Sequence, residues 1–251
     1  MKDIPILFST PMVLAILNNE KTNTRRVIKN QPSDEVGEFL RQLWPCKRKQ
    51  YEYMGDPEQG HEVNTKPYAF PGDSFYVRES WNLFLNNEGP EGYTRLIQYS
   101  ADGATIAVPE EHFQWFDEKE KNGYLKRPSI FMPKWASRIW LKVKNIRVEK
   151  LQDISEEDSL KEGIRSFTKD GVGFKYGLDG WHWSCQTGSP FMCNTAKIAF
   201  ELLWDSINGK PRKNGVDISW GANPWTWGIE FQKKRKAQLT VKHGGKNDDK
   251  G

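Results

Sequence analysis

The clearest pattern in the chain is the alternation through Ile139-Trp140-Leu141-Lys142-Val143-Lys144, which sets Ile139, Leu141 and Val143 on one face and Trp140, Lys142 and Lys144 on the other. It predicts a strand over 139–148. Weaker alternation over Asp73–Trp81 predicts a second strand, and Tyr93–Ser100 is expected to pair with it across the turn-forming residues 86–92. Trp225–Phe231 reads as the closing strand. Helical spacing is found elsewhere. Pro11–Leu17 is a short apolar helix closed by Asn18-Asn19, since asparagine accepts the left-handed backbone that ends a helix. Beyond the loop at 31–34, Val36, Phe39, Leu40, Leu43 and Trp44 recur at near-helical spacing. Residues 108–123 form a polar helix or loop carrying His112, Phe113, Trp115 and Phe116.

Two further helices have explicit punctuation. Ser155, with Asp158 in the capping-box place, starts one that runs to Glu162 and stops at Gly163. Asn194 or Thr195 caps a helix over Thr195–Ile207, with Ile198, Ala199, Leu202, Leu203 and Ile207 as its apolar stripe and Asn208-Gly209 as its end. Residues 45–72 and 165–193 read as irregular. Strands outnumber helices without a βαβ rhythm, so the fold class is α+β, a mixed barrel with peripheral helices.

Charge changes the picture more than size does. At 251 residues the chain can hold one decorated domain, and its net charge is +4. Residues 233–251 hold seven Lys/Arg and two Asp, a net of +5, and the remaining 30 basic and 31 acidic residues leave −1. The body is therefore no general polyanion binder. The segment 233–251 reads as a basic disordered tail able to hold nucleic-acid phosphates, or merely solubilising. Eleven Trp, thirteen Phe and eight Tyr supply a core and a stacking surface. No apolar run approaches the roughly 20 residues of a membrane span, and the N-terminus lacks a signal-peptide pattern. Three unevenly spaced cysteines make no disulfide framework. A reduced, cytoplasmic setting with no membrane partner is expected.

Candidate chemistry collects in three places. Lys21-Thr22-Asn23-Thr24-Arg25-Arg26 follows the first helix, and in extended backbone Thr22, Thr24 and Arg26 share a face. A solvated basic turn is the plain alternative. Arg78-Glu79-Ser80-Trp81 ends the second strand. There Trp81 and Glu79 can offer the aromatic face and polar edge of a base pocket, with Arg78 beside them, or else be a core tryptophan and a surface ion pair. Trp181, His182, Trp183, Cys185 and Cys193 lack the spacing of a zinc site, so neither metal nor other cofactor is expected, and the segment reads as an aromatic-rich loop that packs on the barrel or lines its mouth with Trp181 and Trp183.

Residues Ile16–Arg26, with Lys21, Thr24 and Arg26 in place, resemble the opening signature of the ASCH domain, a branch of the PUA-like β-barrels. The signature's glycine is Asn19 here, and asparagine tolerates positive φ. Pro71-Gly72-Asp73 before Phe75-Tyr76-Val77-Arg78, the segment Leu151–Glu156, and Trp225–Phe231 resemble later blocks in the same order. The arrangement is most similar to the larger ASCH proteins of bacteriophages and prophages. The resemblance implies a single PUA-like domain over 1–232, enlarged by long inserted loops at about 45–70, 82–128 and 165–193, in a bacterial host cell. By similarity to the ASCH enzymes that deacetylate acetylcytidine, Thr24 is the nucleophile, Lys21 the base and Glu162 the acid or orienting group; from their residue types and places in the chain, Arg25, Arg26, Arg78, Glu79, Trp81, Trp181 and Trp183 are the candidates to bind substrate. The physical requirement is that burial or neighbouring cations lower the Lys21 pKa enough to activate a hydroxyl. A binding module for modified or single-stranded RNA or DNA is the alternative, and a ribonuclease activity found in the family has no residue set here. No protein partner is indicated.

Overall fold

A computed structural model describes residues 1–44, 67–89, 92–120, 125–168, 174–177, 193–210 and 215–234. The expectation for Trp181 and Trp183 falls outside them, as do most of 45–70 and the tail from 235 onward.

Strand β8 (Trp140–Lys150) is the spine of a five-stranded mixed sheet ordered β1-β3-β8-β11-β2, with β1 (Asp3–Leu7), β2 (Asn23–Val27), β3 (Ser74–Arg78) and β11 (Trp225–Lys233). β1 runs parallel to β3, and the other neighbours are antiparallel. The alternation in β8 changes phase halfway: Leu141 and Val143 are buried, then Ile146 and Val148. A register shift opposite Glu230/Phe231 inserts Lys144 as an extra residue and keeps all four on the core side. The same bulge turns Arg147 and Glu149 to the opposite face.

The structure departs from the expected closed barrel: the end strands of the five-stranded sheet, β1 and β2, are not paired with each other. Helix α1 (Thr10–Leu17) joins them and fills the seam, with Val13 and Ile16 in the sheet's core. Across the seam the Arg26 Nη2 donates to the Leu7 carbonyl at 2.7 Å. The sequence pattern missed β1 because Pro5 and a five-residue length suit an edge strand with little alternation.

Residues 82–128, expected as an insertion with a strand over Tyr93–Ser100 and a polar helix or loop over 108–123, build a sheet of their own. Asp73–Trp81 is not one strand. β3 ends at Arg78, and a new strand, β4 (Trp81–Gly89), pairs with β5 (Gly92–Tyr99). With β6 (Thr105–Ala107) and β7 (Leu125–Arg127) they form a four-stranded antiparallel sheet, covered by α3 (Phe113–Glu120). Its separate core holds Trp81, Leu83, Ile97, Tyr99, Phe116 and Met132.

Helix α2 (Asp34–Leu43) follows the Ser33 cap, and Gly37 lets it sit against Trp225, whose ring lies 2.1 Å from where a Cβ would be. Helix α4 (Glu156–Lys161) is capped by the Ser155 hydroxyl and ends at Gly163 with φ +98°. Within 165–193, Arg165–Thr168 (β9) and Phe174–Gly177 (β10) form a two-stranded ribbon rather than loop. Helix α5 (Ala196–Asn208), capped by Thr195, buries Ala196, Ala199, Phe200, Leu203 and Trp204. The expected stripe is rotated: Ile198 and Ile207 are exposed, because the large rings of Phe200 and Trp204, one turn apart, take the interior. Lys233 belongs to β11, and the Lys234 amide donates to the Trp140 carbonyl, so the tail cannot begin before 235.

Candidate functional site

Asn19, at φ 63°, ends α1 and turns the chain so that the Glu20 and Lys21 amides both donate to the Ala15 carbonyl. Lys21 is thereby driven inward instead of into solvent. Its ammonium donates to the Glu162 carboxylate at 2.6 Å and to the Glu162 carbonyl at 2.8 Å, and its side chain is 0 % exposed. Glu162 stands at the end of α4, whose Lys161 carbonyl accepts from the Thr22 amide. The two residues are 141 positions apart, and this backbone bond clamps their elements together.

The other carboxylate oxygen of Glu162 accepts from Arg25 Nη1 at 3.1 Å. Arg25 Nη2 also meets Glu149 at 2.8 Å and Asp158 at 3.2 Å. Arg147 bonds Glu149 at 2.8 Å and pairs with Asp158, and Asn23 donates to Asp158 at 3.2 Å. This crowding needs Gly228 on β11: a Cβ there would lie 2.6 Å from the Glu149 carboxylate. Burial lowers the Lys21 pKa below its ordinary value, with Glu162 opposing and Arg26 and Arg25 adding to the fall.

Three carboxylates thus face four cations, and the surplus cation is Arg26. Its guanidinium lies over Phe8 at 5.2 Å and bonds a carbonyl, while its buried Nε has no acceptor among the described residues. Beside it opens a cleft of about 130 Å³ between α1, β2 and α5. Thr24, Arg25, Arg26, Glu162 and Asn208 give it polar groups, and Phe200, Leu203, Trp204 and Ile207 make an apolar wall. Lys21 is not on the wall; it stands behind Glu162. The volume is below the roughly 300 Å³ at which sites for drug-sized ligands begin, so it suits one small planar heterocycle, of one ring or two fused rings.

The structure therefore brings together Lys21, Thr24, Arg25, Arg26 and Glu162. Arg25 is spent on carboxylates rather than left for a ligand. Arg78, Glu79 and Trp81 are elsewhere. Arg78 donates to the Ile130 carbonyl and the Tyr76 hydroxyl. Glu79 is held by Arg138 through two bonds of 2.8 and 2.9 Å, and Arg138 also takes Asp102 at 2.8 Å. Trp81 is fully buried and stacked on Trp115, with centroids 5.9 Å apart. The expected base pocket at Glu79 and Trp81 gives way to a core tryptophan beside a buried ion pair: the corner between the two sheets turns both side chains inward.

Sequence reasoning missed Arg147, Glu149 and Arg138, and saw Asp158 only as a cap residue. The Arg147–Glu149 alternation was visible, but its face depends on the bulge at Lys144. Among the described residues no group of three His, Cys, Asp or Glu is arranged to hold a metal, and no helix is long and apolar enough to cross a membrane. Compared with family models, curated proteins and solved structures, the chain matches none.

Proposed function

We propose that the cleft binds a nucleobase and that Thr24, backed by the Lys21–Glu162 pair, hydrolyses an acyl amide carried on it. The single observation behind this is the buried Lys21–Glu162 contact at 2.6 Å, beside a threonine that lines the same cleft as Glu162. On this reading the five-stranded sheet is an ASCH-type, PUA-like barrel opened along the β1/β2 seam, acting in a bacterial cytoplasm on a nucleoside, RNA or DNA.

In the chemistry, the Thr24 hydroxyl adds to the acyl carbon as its proton passes to neutral Lys21 by way of the Glu162 carboxylate, which lines the cleft and bonds the Lys21 nitrogen. The C–N bond then breaks, the base amine leaves with a proton returned by Lys21 or Glu162, and water cleaves the acyl-threonine ester. Burial moves the Lys21 pKa in the direction the first step requires, against the opposing Glu162 carboxylate. Arg26, on the wall and with no carboxylate bonded to it among the described residues, suits the developing oxyanion.

One observation favours a second reading, a binding module without turnover. Lys21 has no exposed side-chain surface, and its two bonds both end on Glu162. A lysine so engaged positions a carboxylate for a ligand as readily as it deprotonates a hydroxyl. A panel of acylated and unmodified nucleosides and short oligonucleotides, scored for turnover and for binding, decides between them. Under the hydrolase reading, Thr24→Val abolishes turnover and keeps binding, and Lys21→Met lowers turnover by about 10²–10⁴-fold. Binding by the wild type with no turnover on any acylated member leaves the binding module.

A further inference from the structure

The cleft touches Thr24, Arg25, Arg26 and Val27 in succession. Side chains of consecutive strand residues point to opposite faces. A single cleft meets four of them in a row by lying along the strand's edge, so that part of its wall is backbone. β2 is the last strand of its sheet, which leaves that edge open.

The pairing shows which backbone groups face the cleft. Phe231 N–H donates to the Thr22 carbonyl at 2.8 Å, and Ile28 N–H to the Trp225 carbonyl at 3.1 Å. In the antiparallel register Thr24↔Ile229 and Arg26↔Trp227, the even-numbered residues of β2 therefore spend their N–H and C=O on β11. The next strand agrees, since Leu151 N–H donates to the Pro224 carbonyl, sending the even residues of β11 to β8 and its odd ones to β2. Arg25 and Val27 turn their N–H and C=O the other way, and among the described residues no backbone or side-chain group takes them.

A buried or half-buried strand edge with free donors and acceptors needs a partner. A further strand does not fit. The facing wall is helix α5, through Phe200, Leu203, Trp204 and Ile207, and the space between is about 130 Å³. A flat ring inserted edge-on does fit, with one face toward those apolar side chains.

We propose that the backbone of Arg25 reads the base: its N–H donates to a ring nitrogen of the ligand, and its C=O accepts from the exocyclic N–H beside that nitrogen. The ligand class is a heterocycle with an amidine edge, cytosine or adenine. In an extended residue the N–H and C=O point the same way, side by side, as that edge requires. An acyl group on the exocyclic nitrogen leaves one N–H there, so acylated and free bases both keep the contact. The side chain of Arg25 plays a separate part. Pinned by Glu149, Asp158 and Glu162, it holds the edge rigid. This inference rests on the nucleobase reading of the cleft.

The test uses the full chain, labelled with ¹⁵N, titrated with cytidine, 3-deazacytidine, adenosine and 1-deazaadenosine. Replacing the ring nitrogen by C–H leaves the Arg25 amide unpaired, so the deaza analogue of the preferred ring binds about 10- to 100-fold more weakly. The Arg25 amide shifts and gains protection from hydrogen exchange, while the Thr24 and Arg26 amides, already bonded to β11, keep theirs. Equal affinity for parent and deaza nucleosides, with an unmoved Arg25 amide, overturns the backbone contact and leaves nucleobase binding standing. Failure of all four nucleosides, and of acylated cytidine, to bind overturns both. Simultaneous protection of Asn23, Arg25 and Val27 by an added peptide overturns the inference in favour of strand addition.

Discussion

Two buried ion clusters in this protein look alike until their surroundings are compared. One centres on Glu162, with Lys21 and Arg25 on its two oxygens. The other centres on Arg138, gripped by Glu79 and Asp102. Both join distant elements, and both hold groups shifted by burial: Lys21 downward, Glu79 upward. Glu79 sits against Arg138 at the corner between the sheets, with both of its oxygens bonded. Glu162 lies on a cleft wall in a cluster with one cation to spare. Burial perturbs a group in each cluster, so perturbed ionisation by itself does not mark a site. Adjacent space and unspent hydrogen-bonding capacity are what separate a site from a staple.

The largest expected effect separates the two by stability. Arg138→Met strands Glu79 and leaves Asp102 without that partner, and breaking a buried pair in this way costs about 3–5 kcal/mol. Lys21→Met should cost less, roughly 1–3 kcal/mol, because Glu162 keeps Arg25 and a desolvated ammonium is replaced by a side chain that prefers the interior. Function runs the other way. If the cleft is the site proposed, Arg138→Met should bind ligand as the wild type does below its unfolding transition, and on the hydrolase reading Lys21→Met should lose turnover. Urea unfolding with ligand titration checks both; a binding defect in Arg138→Met at full foldedness would erase the distinction.

The pH dependence of stability should split along the same line. Lys21 has a folded pKa below 10.5, so between the two values the unfolded chain holds the extra proton, and stability rises as pH climbs through that window. Glu79 has a folded pKa above 4.5, so there the folded chain holds the extra proton and stability falls as pH climbs. Each slope is at most about 1.4 kcal/mol per pH unit. Lys21→Met should remove the alkaline rise alone, and Glu79→Gln the acidic fall alone. If the enzyme reading holds, turnover should also rise with pH over the Lys21 window. Denaturation midpoints measured across pH, with and without each substitution, give the answer.

The sequence carried one cluster better than the other, for physical reasons. Lys21, Thr24 and Glu162 were legible as a set through a resemblance, and Asn19, Ser155 and Gly163 are local signals that the chain obeys. Capping and left-handed turns depend on neighbouring residues, so they can be read locally. Arg138 had no such signal: it meets Glu79 from 59 residues away, around a corner that alternation through Arg78–Trp81 conceals. Of the four-stranded sheet only β5 was read as a strand of its own, because β6 and β7 are three residues each, too short for periodicity, and the start of β4 was merged with β3. The open seam was illegible for another reason. Whether β1 and β2 pair is decided by α1 packing between them, which is tertiary.

The smallest expected effect tests whether the Glu162 cluster is built by its turn. Asn19 holds φ 63°, the backbone that sends Lys21 inward, and its own amide donates to the Ile16 carbonyl at 3.1 Å. Glycine enters this region without steric cost, so Asn19→Gly should change stability by no more than about 0.5 kcal/mol, its relief at φ offset by the greater freedom of the unfolded chain. Asn19→Val places a β-branched side chain at positive φ and should cost about 1–2 kcal/mol. The useful comparison is with ligand affinity. If the turn sets the Lys21–Glu162 contact, the valine variant weakens binding at the cleft even where it is fully folded, and glycine restores it. Equal affinity in all three proteins would mean that Glu162 captures Lys21 whatever path the chain takes, and that β2 and α4, rather than the turn, assemble the site.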